Sequence, residues 1–246
     1  MKRLHVAFLC CTLLLLVCAL PAVASHWGYS GEFSPEMWDK ADPGFALCGS
    51  GKNQSPINIE PQYKTNLPPI QFAYTQKGQT IVNNGHTIEV QFPSENTMTV
   101  GNQTFTLVQA HFHSPSENKL NGRSFPLEAH FVHRDTVGNL AVLAVFFEEG
   151  AENPNIATLW NAMPQNAGDS AALPVDGFDG LSLYPDTLEY FFFNGSLTTP
   201  PCSEGVRWFV FKNPRTVSGM QIEQFTNVIG ANNRPVQPVN ARPVLE

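Results

Sequence analysis

Three histidines are spaced so that they could bind one metal ion together. His111 and His113 lie two residues apart in a stretch with strand-like alternation, which puts both side chains on one face of a strand. His130 lies in a similar stretch beyond the turn signal at Asn121 and Gly122, so the two strands could be neighbours. Three imidazoles with an open fourth position suit catalytic zinc, whereas structural zinc usually has four protein ligands that include cysteine. The pattern therefore predicts a catalytic zinc centre.

Two polar residues are placed to orient these rings. Gln109 precedes His111 by two residues and Glu128 precedes His130 by two, so each shares the predicted strand face of its neighbour. Metal-bound histidines usually pass their second ring proton to a carboxylate, amide or carbonyl. An isolated pair such as His111 and His113 could be an accident of strand composition, and the two orienting residues argue against that interpretation.

Two further histidines are assigned structural roles. His133 falls on the strand face opposite His130, which predicts a hydrogen-bonded histidine outside the metal site. His26 lies beside Trp27 near the expected start of the folded domain, where packing of the terminal segment is the predicted role.

The elements around these residues are mostly strands. Short apolar segments, some of them alternating, are separated by turn signals rich in Gly, Pro and Asn. Helical patterns are few. The chain is therefore predicted to be mainly β, of the α+β class. We expect a single domain with a large central, mostly antiparallel twisted sheet and short peripheral helices. Strands are expected at 87–92, 104–109, 140–147, 190–193 and 206–211, and helices at 154–161 and 218–228.

The N-terminus has the pattern of an export signal. Lys2 and Arg3 precede an apolar run at 6–20, and Ala22-Val23-Ala24 is a small-x-small cleavage pattern. We therefore expect a signal peptide at 1–24, a catalytic domain at 25–246 and a periplasmic or secreted protein. A membrane anchor is the alternative for this segment. The C-terminus carries no hydrophobic tail, so we expect no membrane anchor after removal of the signal.

Charge and cysteine content narrow the function classes. The net charge of −7 becomes −9 when Lys2 and Arg3 are lost, and such an acidic surface disfavours nucleic-acid partners. Three cysteines lie in the predicted signal, which leaves Cys48 and Cys202 as an even pair in an exported protein. A disulfide is predicted because oxidising compartments preserve such pairs. Two free buried thiols are the alternative.

Sequence blocks through most of the region after residue 24 resemble the alpha-class carbonic anhydrases, in particular the secreted, bacterial type. The metal region contributes HFH at 111–113, SE at 116–117 and EAHFVH at 128–133. The other blocks are HWGY at 26–29, NQSPINI at 53–59, NNGH at 83–86, NGSLTTPPC at 194–202 and NNRPVQ at 232–237. They stand in the order and spacing of that family.

The resemblance implies a function and a ligand set. It implies reversible hydration of carbon dioxide to bicarbonate and a proton by attack of zinc-bound hydroxide. His111, His113 and His130 would bind zinc, with Gln109 and Glu128 orienting the ligands. The expected partners are carbon dioxide and bicarbonate, with a homodimer as an option and no nucleic acid or membrane anchor.

The resemblance also implies roles for residues that pattern alone leaves unassigned. Thr198 would accept a hydrogen bond from the attacking hydroxide while donating its own proton to Glu117, and Thr199 would lie beside bicarbonate. His86 matches the proton shuttle, and Cys48 and Cys202 match the disulfide of secreted members. The residues that match the apolar wall for carbon dioxide are Val132, Val142, Leu197, Val206 and Trp208.

Two other functions fit part of the pattern. In a cupin-type metalloprotein, Glu117 would join His111 and His113 as a ligand of iron or manganese. That family's paired glycine-containing motifs are missing, and the loop at Thr198 would have no explanation. The second alternative is a non-catalytic binding protein, because some carbonic anhydrase relatives have lost zinc ligands. The presence of all three histidines together with Thr198 and Glu117 argues against it.

Overall fold

A computed structural model describes residues 26–174 and 176–246. The expected signal peptide lies outside the described residues and stays a prediction. Within the described part of the chain, no helix is both long and apolar enough to span a bilayer.

Strands dominate the chain and are short except near the histidines. They are β1 (Asn58–Ile59), β2 (Ile70–Ala73), β3 (Thr80–Asn83), β4 (Ile88–Gln91), β5 (Thr97–Val100), β6 (Gln103–His113), β7 (Lys119–Leu120), β8 (Leu127–Arg134), β9 (Leu140–Glu149), β10 (Ser170–Ala172), β11 (Tyr190–Ser196), β12 (Glu204–Phe211) and β13 (Arg215–Val217). The α-helices are α1 (Trp38–Ala41), α2 (Leu47–Ser50), α3 (Pro154–Asn161) and α4 (Gly219–Ile229). Single 3₁₀ turns occupy Gly31–Phe33, Pro35–Met37, Pro43–Phe45 and Gly180–Leu183.

One sheet organises the molecule. Among the described residues it has eleven strands, with the main order β10-β3-β4-β6-β8-β9-β12-β11. Neighbours are antiparallel except that β12 and β13 both pair with β9 in parallel. The predicted mainly β fold with a large, mostly antiparallel sheet is therefore confirmed, and the sheet is mixed in detail. Helices α3 and α4 begin and end within one residue of the predicted ranges.

A bulge in β6 decides which way the histidines face. Phe105 and Leu107 point into the larger hydrophobic core, and so do Ala110 and Phe112 beyond them. The core-facing residues of β6 thus change from odd-numbered to even-numbered positions, because the register against β8 shifts between Leu107 and Gln109. A bulge inserts one extra residue, here Val108, and so reverses the alternation that follows it. The predicted strand at 104–109 alternates imperfectly for this reason.

Both faces of the sheet are covered at its centre. The larger core packs under one face, and a second apolar cluster on the other face includes Val142, Phe146, Val206 and Trp208. Strand β9 is buried continuously from residue 141 to 147, which agrees with its unbroken apolar sequence. The metal-side residues of β6 and β8 lie on the face of this second cluster.

The predicted disulfide joins Cys48 and Cys202, whose Cα atoms are 5.0 Å apart. It connects α2 to the loop that follows β11, and it packs beside Trp38. The cross-link therefore ties the N-terminal segment to the segment that carries Thr198 and Thr199.

Reducing this disulfide should lower the stability of the folded protein substantially. The bond spans 154 residues of sequence, and the chain-entropy model for so long a loop gives about 5 kcal/mol. For a domain of this size that corresponds to a fall in melting temperature of about 10 to 20 °C. The Cys48→Ala/Cys202→Ala double variant is the control, because its melting temperature should not respond to reductant. Two free thiols in oxidised, denatured protein that lacks residues 1–24 would contradict the prediction.

Candidate metal centre and active site

The three candidate ligands meet on two adjacent strands. Strands β6 and β8 are antiparallel neighbours, and His111 lies directly opposite His130. Each of the three histidines offers one nitrogen to a common point, and these nitrogens lie within 4.8 Å of one another. His113 lies two residues after His111 and therefore on the same face of β6.

The second nitrogen of each ring lies close to a protein oxygen. Nδ1 of His111 donates to Oε1 of Gln109 at 2.8 Å, and Nδ1 of His113 donates to the carbonyl of Asn232 at 2.7 Å. Nε2 of His130 lies 3.0 Å from Oε1 of Glu128, although the two are not aligned as a hydrogen bond. These contacts leave Nε2 of His111, Nε2 of His113 and Nδ1 of His130 for the cavity.

Burial keeps the rings neutral. It holds the pKa of His111 and of His130 well below the usual range, and proximity to His113 lowers both further. It also lowers the pKa of His113, against the opposing effect of its bond to Asn232. Nε2 of His113 is fully buried without a hydrogen-bond partner among the described residues. Buried neutral imidazoles with unused lone pairs fit a bound metal ion.

Glu128 is held rigidly behind the ligands. Its Oε2 accepts from the backbone N–H groups of Glu117 and Asn118 at 2.8 and 2.9 Å, and Oε1 accepts from the Asn118 side chain at 2.8 Å. Burial raises the pKa of Glu128 to about 7, while the bonds from Asn118 oppose that rise. The carboxyl group next to His130 therefore has a fixed orientation.

Glu117 lies between the histidines and the Thr198 loop. Its Oε1 accepts from the backbone N–H of Arg234 at 2.9 Å, and its Oε2 is 3.4 Å from Nε2 of His113. Burial raises the pKa of Glu117 to about 8, and the N–H of Arg234 and the hydroxyl of Thr198 act in the opposite direction. Glu117 and Thr198 are both buried. The sequence blocks therefore bring an acceptor and a hydroxyl together beside the candidate ligands.

A small cavity of about 110 Å³ lies beside two of the candidate ligands. His86, Thr199, His111 and His113 are among the residues that line it, and Trp27 contributes an aromatic wall. The further lining residues are Tyr29, Asn84, Thr87, Glu89 and Gln109.

His86 is half-buried at this cavity. Its ring stacks on Trp27 with centroids 3.7 Å apart, and its backbone N–H donates to the side chain of Asn84 at 2.9 Å. Burial lowers the pKa of His86, and the nearby His26 lowers it further. His86 is therefore located between the candidate ligands and solvent.

The two histidines assigned structural roles lie where the sequence predicts. His133 is buried on the opposite face of β8, with Nε2 2.5 Å from the Tyr74 hydroxyl and Nδ1 donating to the Phe131 carbonyl at 2.9 Å. The exposed His26 packs its ring edge-on against Phe33 at 4.4 Å.

The apolar residues matched to the carbon dioxide wall gather beside His130. Trp208 lies edge-on to the His130 ring with centroids 4.9 Å apart. Val142 and Val206 are buried in the same cluster, and the partly buried Val132 and Leu197 pack against it. Sequence reasoning missed Asn232 and Arg234 as individual contributors, since only the block at 232–237 marks them.

Comparisons with known proteins identify the family. The sequence model of the eukaryotic-type carbonic anhydrases matches residues 33–246. A carbonic anhydrase of Pectobacterium atrosepticum is 48% identical over 221 residues, which is 89% of this chain and 90% of the relative. A carbonic anhydrase of Neisseria gonorrhoeae is 48% identical over 240 residues, covering 95% of this chain and 94% of the relative.

Solved structures agree with that match. The alpha-carbonic anhydrase of Thermovibrio ammonificans, determined with the inhibitor sulfanilamide, has a TM-score of 0.88 at 47% identity and covers 91% of this chain and 100% of its own. The alpha-carbonic anhydrase of Photobacterium profundum has a TM-score of 0.85 at 46% identity, with 90% and 100% covered. The chain therefore belongs to the alpha-class carbonic anhydrases, a family of enzymes. This membership excludes the cupin alternative.

Proposed function

We propose that this protein catalyses the reversible hydration of carbon dioxide to bicarbonate and a proton, with zinc held by His111, His113 and His130. The observation that carries the proposal is the convergence of three neutral imidazoles, each of which turns one nitrogen to a common point and the other toward a protein oxygen. A zinc ion bound there would act as a Lewis acid that lowers the pKa of water and so supplies a nucleophile near neutral pH.

Thr198 and Glu117 would orient the attacking oxygen. A threonine hydroxyl has one proton to donate, and Glu117 can only accept once it is ionised, a form that the Arg234 N–H and the Thr198 hydroxyl favour against burial. When Thr198 donates to Glu117, its own oxygen is left as an acceptor, which fixes the direction of the nucleophile's hydrogen and therefore of its lone pair. Thr199, next along the loop and on the cavity wall, would bind bicarbonate.

Carbon dioxide would bind against the apolar group formed by Val132, Val142, Leu197, Val206 and Trp208. Carbon dioxide carries no hydrogen-bond donor, so an apolar surface can hold it. Such a surface offers no polar group that would compete for the hydrogen bonds of the Thr198 hydroxyl. The position of Trp208 beside His130 supports this assignment.

The protein would act outside the cytoplasm, in the periplasm or as a secreted enzyme. The Cys48–Cys202 disulfide supports this location, because such bonds persist in oxidising compartments. The homodimer that the family resemblance allows stays a prediction.

The function is tested by a stopped-flow carbon dioxide hydration assay on zinc-loaded protein. We expect rapid hydration that is lost on removal of zinc with a chelator and returns when zinc is added. Stoichiometric zinc binding without hydration would instead favour the non-catalytic binding protein.

Replacing His86 with alanine should slow turnover in dilute buffer and leave carbon dioxide attack intact. An imidazole with a pKa near neutrality suits transfer of the product proton to solvent, and His86 lies on the cavity wall. We therefore expect kcat to fall in weak buffer while kcat/KM changes little, because proton export lies outside the steps that kcat/KM reports.

Added imidazole should restore much of the lost turnover of this variant by carrying the proton. His26→Ala is a matched control, because the exposed His26 lies near His86 and is not among the cavity-lining residues. Unchanged turnover of His86→Ala in weak buffer, or failure of imidazole to restore it, would contradict the shuttle assignment.

A further inference from the structure

Arg234 is a fully buried arginine that contacts three separate parts of the chain. Its side chain is 1% exposed, although arginine is rarely buried without a charged partner. One guanidinium nitrogen donates to Oε1 of Gln54 at 2.9 Å and to the carbonyl of Ser55 at 2.7 Å, and the other donates to the carbonyl of Cys48 at 2.7 Å. Its backbone N–H donates to Glu117. The side chain therefore anchors the peptide group that holds Glu117.

Ser55 connects this anchor to the strand that leads to Thr198. The backbone N–H of Ser55 donates to Oγ of Ser196 at 2.8 Å, and the backbone N–H of Ser196 donates to Oγ of Ser55 at 3.1 Å. The two serines are completely buried. A Cβ on the adjacent Gly195 would lie 2.1 Å from Oγ of Ser55, so the close approach of the two segments depends on that glycine.

The segment between Ser196 and Thr198 needs such an attachment. The register of β11 against β12 shifts between Gly195 and Ser196, where regular pairing ends. Beyond this point the described backbone bonds are those from Leu197 N–H to the Ser203 carbonyl at 3.0 Å and from Cys202 N–H to the Thr199 carbonyl at 2.9 Å. Neither bond reaches the strands that hold the histidines.

These contacts form a continuous circuit of bonds that leads from one member of the proposed Glu117–Thr198 pair to the other. It runs from Glu117 to the backbone of Arg234, through the guanidinium to Ser55, across the paired serines to Ser196, and along the chain to Thr198. We propose that Arg234, Ser55 and Ser196 are positioning residues that hold the Glu117 carboxyl group and the Thr198 hydroxyl at hydrogen-bonding distance. This inference rests on the proposed function of Glu117 and Thr198.

The physical reason is that the two partners come from distant segments. Glu117 follows β6 and Thr198 follows β11, and a hydrogen bond between them weakens steeply when its distance or angle departs from the preferred range. A misplacement of about 1 Å can reduce an enzyme's rate about a hundredfold. A circuit of buried bonds on both partners limits that displacement.

Arg234→Lys and Ser55→Ala test the proposal. An ammonium group cannot reproduce the planar fork that binds several carbonyls at once, and Ser55→Ala removes the acceptor for the Ser196 N–H with little change in volume. We expect kcat/KM for carbon dioxide to fall about tenfold to a hundredfold in zinc-loaded protein. Zinc content should stay stoichiometric, and imidazole should not restore the rate.

Arg242→Lys is the matched control. Arg242 is also buried and donates to three backbone carbonyls, those of Val239, Asn194 and Pro238, at 2.8 to 3.0 Å. It contacts no member of the circuit among the described residues, so its loss should lower the melting temperature and leave kcat/KM within about twofold of the native value.

A double-variant cycle separates positioning from general destabilisation. In a Thr198→Ala background there is no hydroxyl to position, so Arg234→Lys and Ser55→Ala should each lower kcat/KM by less than about twofold further. A full additional loss in that background would overturn the proposal, and so would native kcat/KM in Ser55→Ala and Arg234→Lys alone. Native kcat/KM in Thr198→Ala itself would overturn the assigned role of Thr198 and this inference with it. If Thr198→Ala loses activity while Ser55→Ala and Arg234→Lys keep native kcat/KM, the role of Thr198 stands and only the circuit is overturned.

Discussion

Replacing His113 with alanine should abolish both zinc retention and carbon dioxide hydration. His113 contributes one of the three unused nitrogens, and its Nε2 is buried and unpaired among the described residues. Loss of a group that merely orients a ligand costs about tenfold to a hundredfold in metal affinity, and loss of a ligand itself should cost more. Elemental analysis after dialysis measures the zinc content, and the hydration assay measures the rate.

His133→Ala is the matched control for this experiment. It removes another buried histidine from the same sheet, one that bonds to Tyr74 and Phe131 on the opposite face. We expect this variant to lose thermal stability because buried partners are left unpaired, while it keeps one zinc per chain. Full zinc occupancy in His113→Ala would refute the ligand assignment.

Replacing Thr198 with alanine should lower kcat/KM by about a hundredfold or more while zinc remains bound. Loss of one oriented hydrogen-bonding group at a reacting oxygen typically costs about 10² to 10³ in rate. Alanine removes both the donor to Glu117 and the acceptor for the nucleophile, and the ligand contacts of His111, His113 and His130 stay in place.

Thr198→Ser distinguishes the hydroxyl from the bulk of the side chain. Serine keeps a hydroxyl at the same position, so most of the activity should return. If serine is as slow as alanine, the methyl group or the packing of the loop matters more than the hydrogen bond. A Thr198→Ala variant with native kcat/KM would exclude the orienting role.

Several features of the protein follow from local sequence. Alternation places His111 and His113 on one face of a strand, and the same rule separates His130 from His133 on β8. Helix α4 begins at the predicted place because Ser218 and Gln221 form a reciprocal capping box. The cysteine pair follows from the count of two cysteines beyond residue 24. In each case the physical cause acts within a few residues or through simple composition.

Other features depend on contacts between distant parts of the chain. The carbonyl that orients His113 belongs to Asn232, 119 residues away, and a backbone carbonyl leaves no mark in residue type. Arg234 meets Ser55 across 179 residues, so no spacing rule predicts the contact.

The bulge at Val108 was decided by the tertiary structure as well. It fits the pairing of β6 with β8 and turns the face with His111 and His113 away from the larger core. The sequence alone identifies the residues that can bind a metal. The three side chains face one point and meet their partners only when the strands pair in the sheet. Long-range packing then selects one register among several that alternation alone would allow.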